Sequence, residues 1–257
     1  MVGSPKIYIQ SPCGELRPFV RRFMVVEHAS RCDDTHLPGT GAVAAFNVRG
    51  ECVLDGASRA PSAGLTGLWD GPRRHEHRGG NTVALIHFTP VGAACLVSEP
   101  LEAFANGTAS LGSLASPTGD VERVEDQLNE APNHVRRLAV LEAFVLARVA
   151  RAEPDPLVQA AVDWIERAPL DARIAALTKH IGLSQSALER RFRRVVGATP
   201  RKFASFVRLQ RVLRLHQPGT TLATLAVAAG YFDQSHFIHE FRRFSGVTPS
   251  AYFAARG

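Results

Sequence analysis

Between Ser184 and Pro200 the chain reads SQSALERRFRRVVGATP, and the apolar residues Leu188, Phe192 and Val195 fall at i, i+4 and i+7. That spacing places them on one face of a helix. At about 100° per residue, Ser186, Arg190 and Arg193 come to the opposite face, flanked by Glu189 and Arg194. Gly197 stops this helix, and Pro200 suits the first turn of the next. The arrangement returns 49 positions later: Leu188 answers to Phe237, Phe192 to Phe241, Ser186 to Ser235, Gly197 to Gly246 and Pro200 to Pro249. Five matches at one offset predict an internal duplication, and two copies are too few for a solenoid, so the expectation is a tandem pair. The front of the second copy carries Ser235, His239 and Arg242.

The stretches around the two copies complete the pattern. LVQAAVDWIERA has Val158, Val162 and Ile165 on one side. Asp171 is placed to cap ARIAALTKHI, which ends at Gly182, and Ser184 caps the next helix. Helix, short glycine turn and helix in this order have helix-turn-helix spacing. Residues 200–216 form one helix about 25 Å long. Its charges are Arg201, Lys202, Arg208, Arg211 and Arg214, with no acid among them. Thr220 or Thr221 then caps LATLAVAA, Gly230 turns the chain, and Asp233 caps the second basic helix.

The first half reads differently. IYIQSP alternates like a short strand, and LRPFVRRFMVVEH suits either a strand or a short helix. GAVAAFNV, ECVLDG, GLTGLW and TVALIHFTP are short apolar runs separated by turn residues, which predicts a small β-barrel or sandwich. His75, Glu76 and His77 are read as part of a solvated basic turn, GPRRHEHRGGN. Metal binding by the two histidines is not expected, because Arg73, Arg74 and Arg78 oppose a cation. From Pro90 the pattern turns helical: a short helix broken at Pro100, then VERVEDQLNEA capped by Asp120. A longer helix starts at Pro132, with Val135, Leu138, Leu141 and Val145 at helical spacing. Its apolar surface serves either as core within the chain or as a contact between two copies. AEPDP at 152–156 is the domain boundary.

The fold class expected is therefore α+β. A strand-rich barrel or sandwich with a helical appendage fills 1–152, with strands at about 7–90 and helices at about 91–151. An all-α domain of two helix-turn-helix units joined by a long helix fills 157–257.

Charge sharpens this division. The 257 residues carry a net charge of +6. From Leu157 onward there are 15 Lys or Arg against 6 Asp or Glu, whereas the first 156 residues have 15 against 18. A basic domain joined to a mildly acidic one points to a polyanionic partner for the former. No apolar run is long enough to cross a bilayer, and no signal segment is expected, so the reading is a cytoplasmic protein with no membrane partner. Cys13, Cys32, Cys52 and Cys95 contain no C-x-x-C pair and are expected to be thiols. No cofactor is called for.

A helix about 10–12 Å across fits the major groove of B-DNA. Arg can make two hydrogen bonds to guanine and Gln two to adenine, each pair discriminating by about 1–3 kcal/mol. Two such helices held apart by a third can enter successive grooves about 34 Å apart.

On GLSQSALERRF (Gly182–Phe192), GATP (Gly197–Pro200) and RLQRVL (Arg208–Leu213), residues 157–254 resemble the DNA-binding domain of AraC/XylS-family transcription regulators. AVAAGYFDQSHF (Ala226–Phe237), FRRF (Phe241–Phe244) and GVTPSAY (Gly246–Tyr252) carry the same resemblance in the second half. Thr178 departs from the family's usual small alanine, which Ala226 keeps. The resemblance implies that Ser186, Glu189, Arg190 and Arg193 face bases in the first unit. Gln234, Ser235, His236, His239 and Arg242 do so in the second. Phosphates fall to Arg191, Arg194, Arg201, Lys202, Arg208 and Arg243.

The first 150 residues resemble, more loosely, the sensor halves attached to such domains. They imply a small-molecule effector of unknown identity and leave a homodimer open. Trp69, Phe46, His87 and Phe88 are candidate pocket residues, with core filling the stronger reading for each. The function expected is sequence-specific binding of double-stranded DNA in transcription regulation, with RNA polymerase a further partner left open. The alternative is a DNA-located enzyme acting on a small molecule or nucleobase. No Ser/His/Asp or Cys/His arrangement supports it, and Cys13 lacks the neighbouring cysteines a methyl-accepting role would need.

Overall fold

The computed structural model describes residues 4–56, 58–114, 120–150, 152, 154–167 and 174–255. Its strands are β1 (Lys6–Gln10), β2 (Val20–His28), β3 (Cys32–His36), β4 (Val43–Leu54), β5 (Ser58–Arg59), β6 (Ala63–Thr66), β7 (Arg73–Phe88) and β8 (Thr108–Ser110). They form one antiparallel sheet in the order β1-β2-β7-β4-β6-β8, with β3 on β7 and β5 on β4. The sheet is not closed into a barrel. LRPFVRRFMVVEH resolves as strand: Phe23 and Val25 alternate with more exposed neighbours, the period-2 signature of a sheet with one buried face.

Two turn expectations are corrected. GAVAAFNV and ECVLDG are not separate strands but parts of β4, and the GPRRHEHRGGN segment is not a turn but lies within or beside the sixteen-residue β7. The glycines bend these strands without ending them. Gly50 has φ +76°, and a Cβ there would lie 2.9 Å from Asn81 Cα. The β4–β7 register shifts at this level, so the left-handed residue makes a bulge rather than a hairpin.

Helices α1 (Leu111–Leu114), α2 (Asp120–Glu130) and α3 (His134–Val149) follow the sheet. The expected helix after Pro90 is two 3₁₀ turns, Gly92–Cys95 and Leu101–Phe104, on either side of Pro100. Asp120 opens α2 as its first residue, and Asn133 caps α3. α3 packs on β2 and β7, burying Leu138, Leu141, Phe144 and Val145 against Phe23, Phe46 and Ile86. It is intrachain core, with one correction: Val135 is 63% exposed.

The second core belongs to α4 (Pro156–Arg167), α5 (Ile174–Ile181), α6 (Gln185–Val196), α7 (Pro200–Leu215), α8 (Leu222–Ala229), α9 (Gln234–Ser245) and α10 (Pro249–Ala254). Asp171, expected to cap α5, lies outside the described residues. Leu68 and Val91 of the first domain join this second core. Arg21–Glu166 (3.0 Å), Lys202–Asp70 (2.7 Å) and Gln210 Nε2 to Pro38 O (2.7 Å) also cross the boundary. Among the described residues, no helix is long and apolar enough to cross a membrane.

Candidate nucleic-acid interface

The duplication is visible atom for atom in the caps. Ser184 Oγ accepts from Ala187 N, and Asp233 Oδ1 accepts from His236 N. Gly197 (φ +84°) and Gly246 (φ +77°) close α6 and α9 as left-handed caps. Their N–H groups donate to Arg193 O and Arg242 O. Thr199 and Thr248 then cap α7 and α10. Each donor–acceptor pair repeats at the same 49-residue offset, as expected when side chains satisfy the orphan groups at helix ends.

The backs of both helices are buried. Leu188 and Phe192 of α6, and Phe237, Phe241 and Phe244 of α9, are all at 0% exposure. The supports preceding them match: Leu183 N reaches Thr178 O at 3.3 Å and Tyr231 N reaches Ala226 O at 3.0 Å. The connecting turns differ by one residue, with two steps from Gly182 to Ser184 and three from Gly230 to Asp233. The extra residue places Phe232 outside, 92% exposed. Neither periodicity nor repeat matching flagged it; the unequal turn length was the available signal.

On the front faces, Ser186, Arg190 and Arg193 are exposed and Glu189 is half-buried; Gln234, Ser235, His236, His239 and Arg242 are all exposed. Glu189 accepts from Gln185 Nε2 (3.0 Å) and Arg193 Nη2 (3.3 Å), so it holds a neighbouring arginine in place. The His236 ring meets Tyr231 edge-on at 5.4 Å while staying at the surface.

The residues expected on phosphates divide. Arg194, Arg201 and Arg243 are exposed, Arg243 lying 4.6 Å over the Phe244 ring. Arg208 has partners inside the protein. Its Nη2 lies 3.0 and 3.1 Å from the two carboxylate oxygens of Glu240 and 3.0 Å from Ser205 Oγ, and its guanidinium sits 5.3 Å over the Tyr231 ring. It ties α7 to α9 from within. Arg191 Nε bonds Asp155 Oδ2 at 2.9 Å, while Asp155 Oδ1 caps α4. Lys202 holds Asp70 across the domain boundary, and Arg211 Nη2 donates to Glu166 O at 2.6 Å. The basic spacer α7 is thus largely committed to internal partners.

Residues 177–255 match the family model described as a helix-turn-helix domain. An AraC-like transcription regulator of Streptomyces antibioticus is 30% identical over 100 residues, and one of Streptomyces lividans is 31% identical over 100. Each alignment covers 38% of this chain and 33% of the relative, so the match spans about a third of those proteins' length. The similarity to these AraC-like regulators is to part of their length. ToxT from Vibrio cholerae is similar in backbone along 98% of this chain and 97% of its own, at 13% identity and a TM-score of 0.47.

α6 leans on the sheet domain. A Cβ on Gly197 would meet Leu101 O at 3.0 Å. Arg190, Arg191 and Arg194 also line an open interdomain cleft of about 1150 Å³.

A second cavity of about 750 Å³ lies on the sheet face away from α3. Trp69, His87 and Phe88 line it, and so does Gln210 of α7. Phe46 instead fills core, edge-on to Phe144 at 5.8 Å. Burial, reinforced by Arg22, pushes His87 down to about 4. Burial, with His36 and His77 nearby, pushes His75 down to about 3, and burial together with His28 lowers His77. Burial raises the Cys52 thiol to about 11. His77, read from sequence as solvated, is 6% exposed.

Proposed function

We propose that this chain is a sequence-specific double-stranded-DNA-binding transcription regulator of the cytoplasm, not an enzyme. In this reading α6 and α9 read bases and a ligand of the sheet domain modulates them. The supporting observation is two capped helices at one sequence offset, each anchored by buried residues and presenting Arg, Ser, Gln or His outward. Arg190 and Arg242 are the principal base readers. Arg194, Arg201 and Arg243 hold phosphates. Arg191 and Lys202 reach DNA only if they leave Asp155 and Asp70. The contacts joining α6 and α7 to the sheet domain give a ligand a physical route to the reading helices.

Footprinting on DNA flanking the coding region, followed by binding titrations on the protected sequence and on scrambled DNA, tests this. Arg190→Ala and Arg242→Ala each weaken the specific site by about 1–3 kcal/mol and relax its preference. Equal losses on every sequence would overturn base reading.

A further inference from the structure

The cavity on the sheet contains an arrangement that DNA binding does not use. His77 stands at mid-sheet, with Cys32 of β3 opposite it on one side and Cys52 of β4 opposite it on the other. His75, two residues away, projects to the same side, as a period of two requires. The ligand atoms of Cys52, His75 and His77 all lie within 4.8 Å of one another. A second triad, His28, Asp34 and His77, meets the same limit.

We propose that Cys52, His75 and His77 bind a late transition-metal ion of the zinc type, with His77 as the central ligand. One thiolate and two imidazoles select zinc-like ions over Mg²⁺ and Ca²⁺, which prefer oxygen. With Zn–S about 2.3 Å and Zn–N about 2.0–2.1 Å, ligand atoms around a tetrahedral ion stand about 3.3–3.6 Å apart. Side-chain rotations that draw the three atoms together by about an ångström therefore close the site. On binding, the Cys52 thiol gives its proton to solvent and the sulfur bonds the metal, while both imidazoles bind as neutral ligands.

Two further observations fit this site. Buried Asn81 Oδ1 lies 3.1 Å from His77 Nδ1. When Nδ1 carries the ring proton and donates it in a hydrogen bond to this amide oxygen, Nε2 keeps its lone pair for a metal, and the Asn81 bond is the supporting contact that metal-bound histidines characteristically have. The three arginines each have partners of their own, although Arg73 also lines this cavity. Arg73 is turned to Thr108 Oγ1 (3.1 Å) and Asn106 O (3.3 Å), Arg74 bonds Asp33, and Arg78 bonds Glu76 (3.3 Å).

This cavity lies in the sheet domain for which the proposed function invokes a ligand, but the inference rests on the geometry of the three side chains alone. Its readouts use no DNA, so its failure leaves the DNA-binding reading standing. The test uses full-length protein, stripped with chelator and carrying Cys13→Ser to remove the exposed thiol. Co²⁺ titration should saturate at one equivalent and produce a thiolate-to-cobalt charge-transfer band. Cys52→Ser should abolish that band, and His77→Gln should weaken Zn²⁺ at least tenfold in chelator competition. Asn81→Ala, a positioning change, should weaken Zn²⁺ by about 10–100-fold while keeping the band. Zn²⁺ but not Mg²⁺ should raise the unfolding temperature of the parent protein, a measurement that needs no ligand variant to fold. No one-to-one binding, or full binding with Cys52→Ser, overturns the proposal. So does loss of binding with His28→Gln and Asp34→Asn but not with Cys52→Ser.

Discussion

Replacing Arg208 by alanine separates two roles that one arginine on a basic helix can have. Glu240 is 8% exposed at its side chain and Arg208 23%. Removing the guanidinium leaves a carboxylate with little access to water, with Arg243 at 3.9 Å as a remaining, half-exposed cation that lowers the cost. Breaking a buried pair by deleting one partner costs about 3–5 kcal/mol. The quarter of Arg208 that reaches solvent, and the space left for water beside Glu240, bring the expectation to about 2–4 kcal/mol. The lost contact with the Tyr231 ring is part of that figure, at about 0.5–1 kcal/mol. At about 2–4 °C per kcal/mol for a chain of this size, the unfolding temperature falls by about 4–16 °C. Urea melts followed by near-ultraviolet circular dichroism measure the loss directly. The double change Arg208→Met with Glu240→Leu should recover most of it, since apolar replacement of both partners removes the stranded charge. A phosphate contact behaves differently: the variant stays as stable as the parent, binds all DNA more weakly, and loses about one from its salt slope. A stability loss below about 1 kcal/mol, together with that altered slope, would refute the internal-tie argument.

Other perturbations test neighbouring parts of the structure. Gly197→Ala should cost about 1–2 kcal/mol in urea melts. Gly246→Ala should cost less, because the added Cβ meets Leu101 O at 3.0 Å in the first case and only Pro72 Cγ at 3.7 Å in the second. His87 is held neutral down to about pH 4 against an ordinary value of 6.5. The unfolded chain therefore binds the extra proton between those values, and stability falls as pH drops from 6.5 toward 4. The loss due to this group is about 2 kcal/mol by pH 5, and His87→Gln should remove that share in Cm measured against pH while the part due to His75 and His77 remains. Phe192→Ala, which empties a fully buried site in the second core, should cost about 3–5 kcal/mol by the same melts.

The two domains differ in how far local sequence governs them. In the helical domain, residues within four positions decide most of the structure: Ser184 and Asp233 cap, Gly197 and Gly246 stop, and Leu188 with Phe192 choose the buried face. Those features could be read in order, and both α6 and α9 end where their caps put them. The partners of individual arginines could not. Arg208 meets Glu240 at a separation of 32 residues, and Arg191 meets Asp155 at 36. A charge on a helix looks the same in sequence whether it faces solvent or a carboxylate from another element.

The sheet domain was harder for a different physical reason. Sequence reading treats Gly as the end of a strand and a run of charged and imidazole side chains as solvent. In β7 both inferences fail together. The strand passes through Gly79 and Gly80, both with positive φ, and keeps pairing on either side of them. Its polar half has an inside as well as an outside: Arg74 and Arg78 form ion pairs at the surface while His75 and His77 line a cavity. Alternation still marks the two faces there, but its inward members are imidazoles rather than aliphatic groups. A period-2 pattern in which every residue is polar, with one type confined to alternate positions, therefore indicates a strand whose inner face lines a polar cavity.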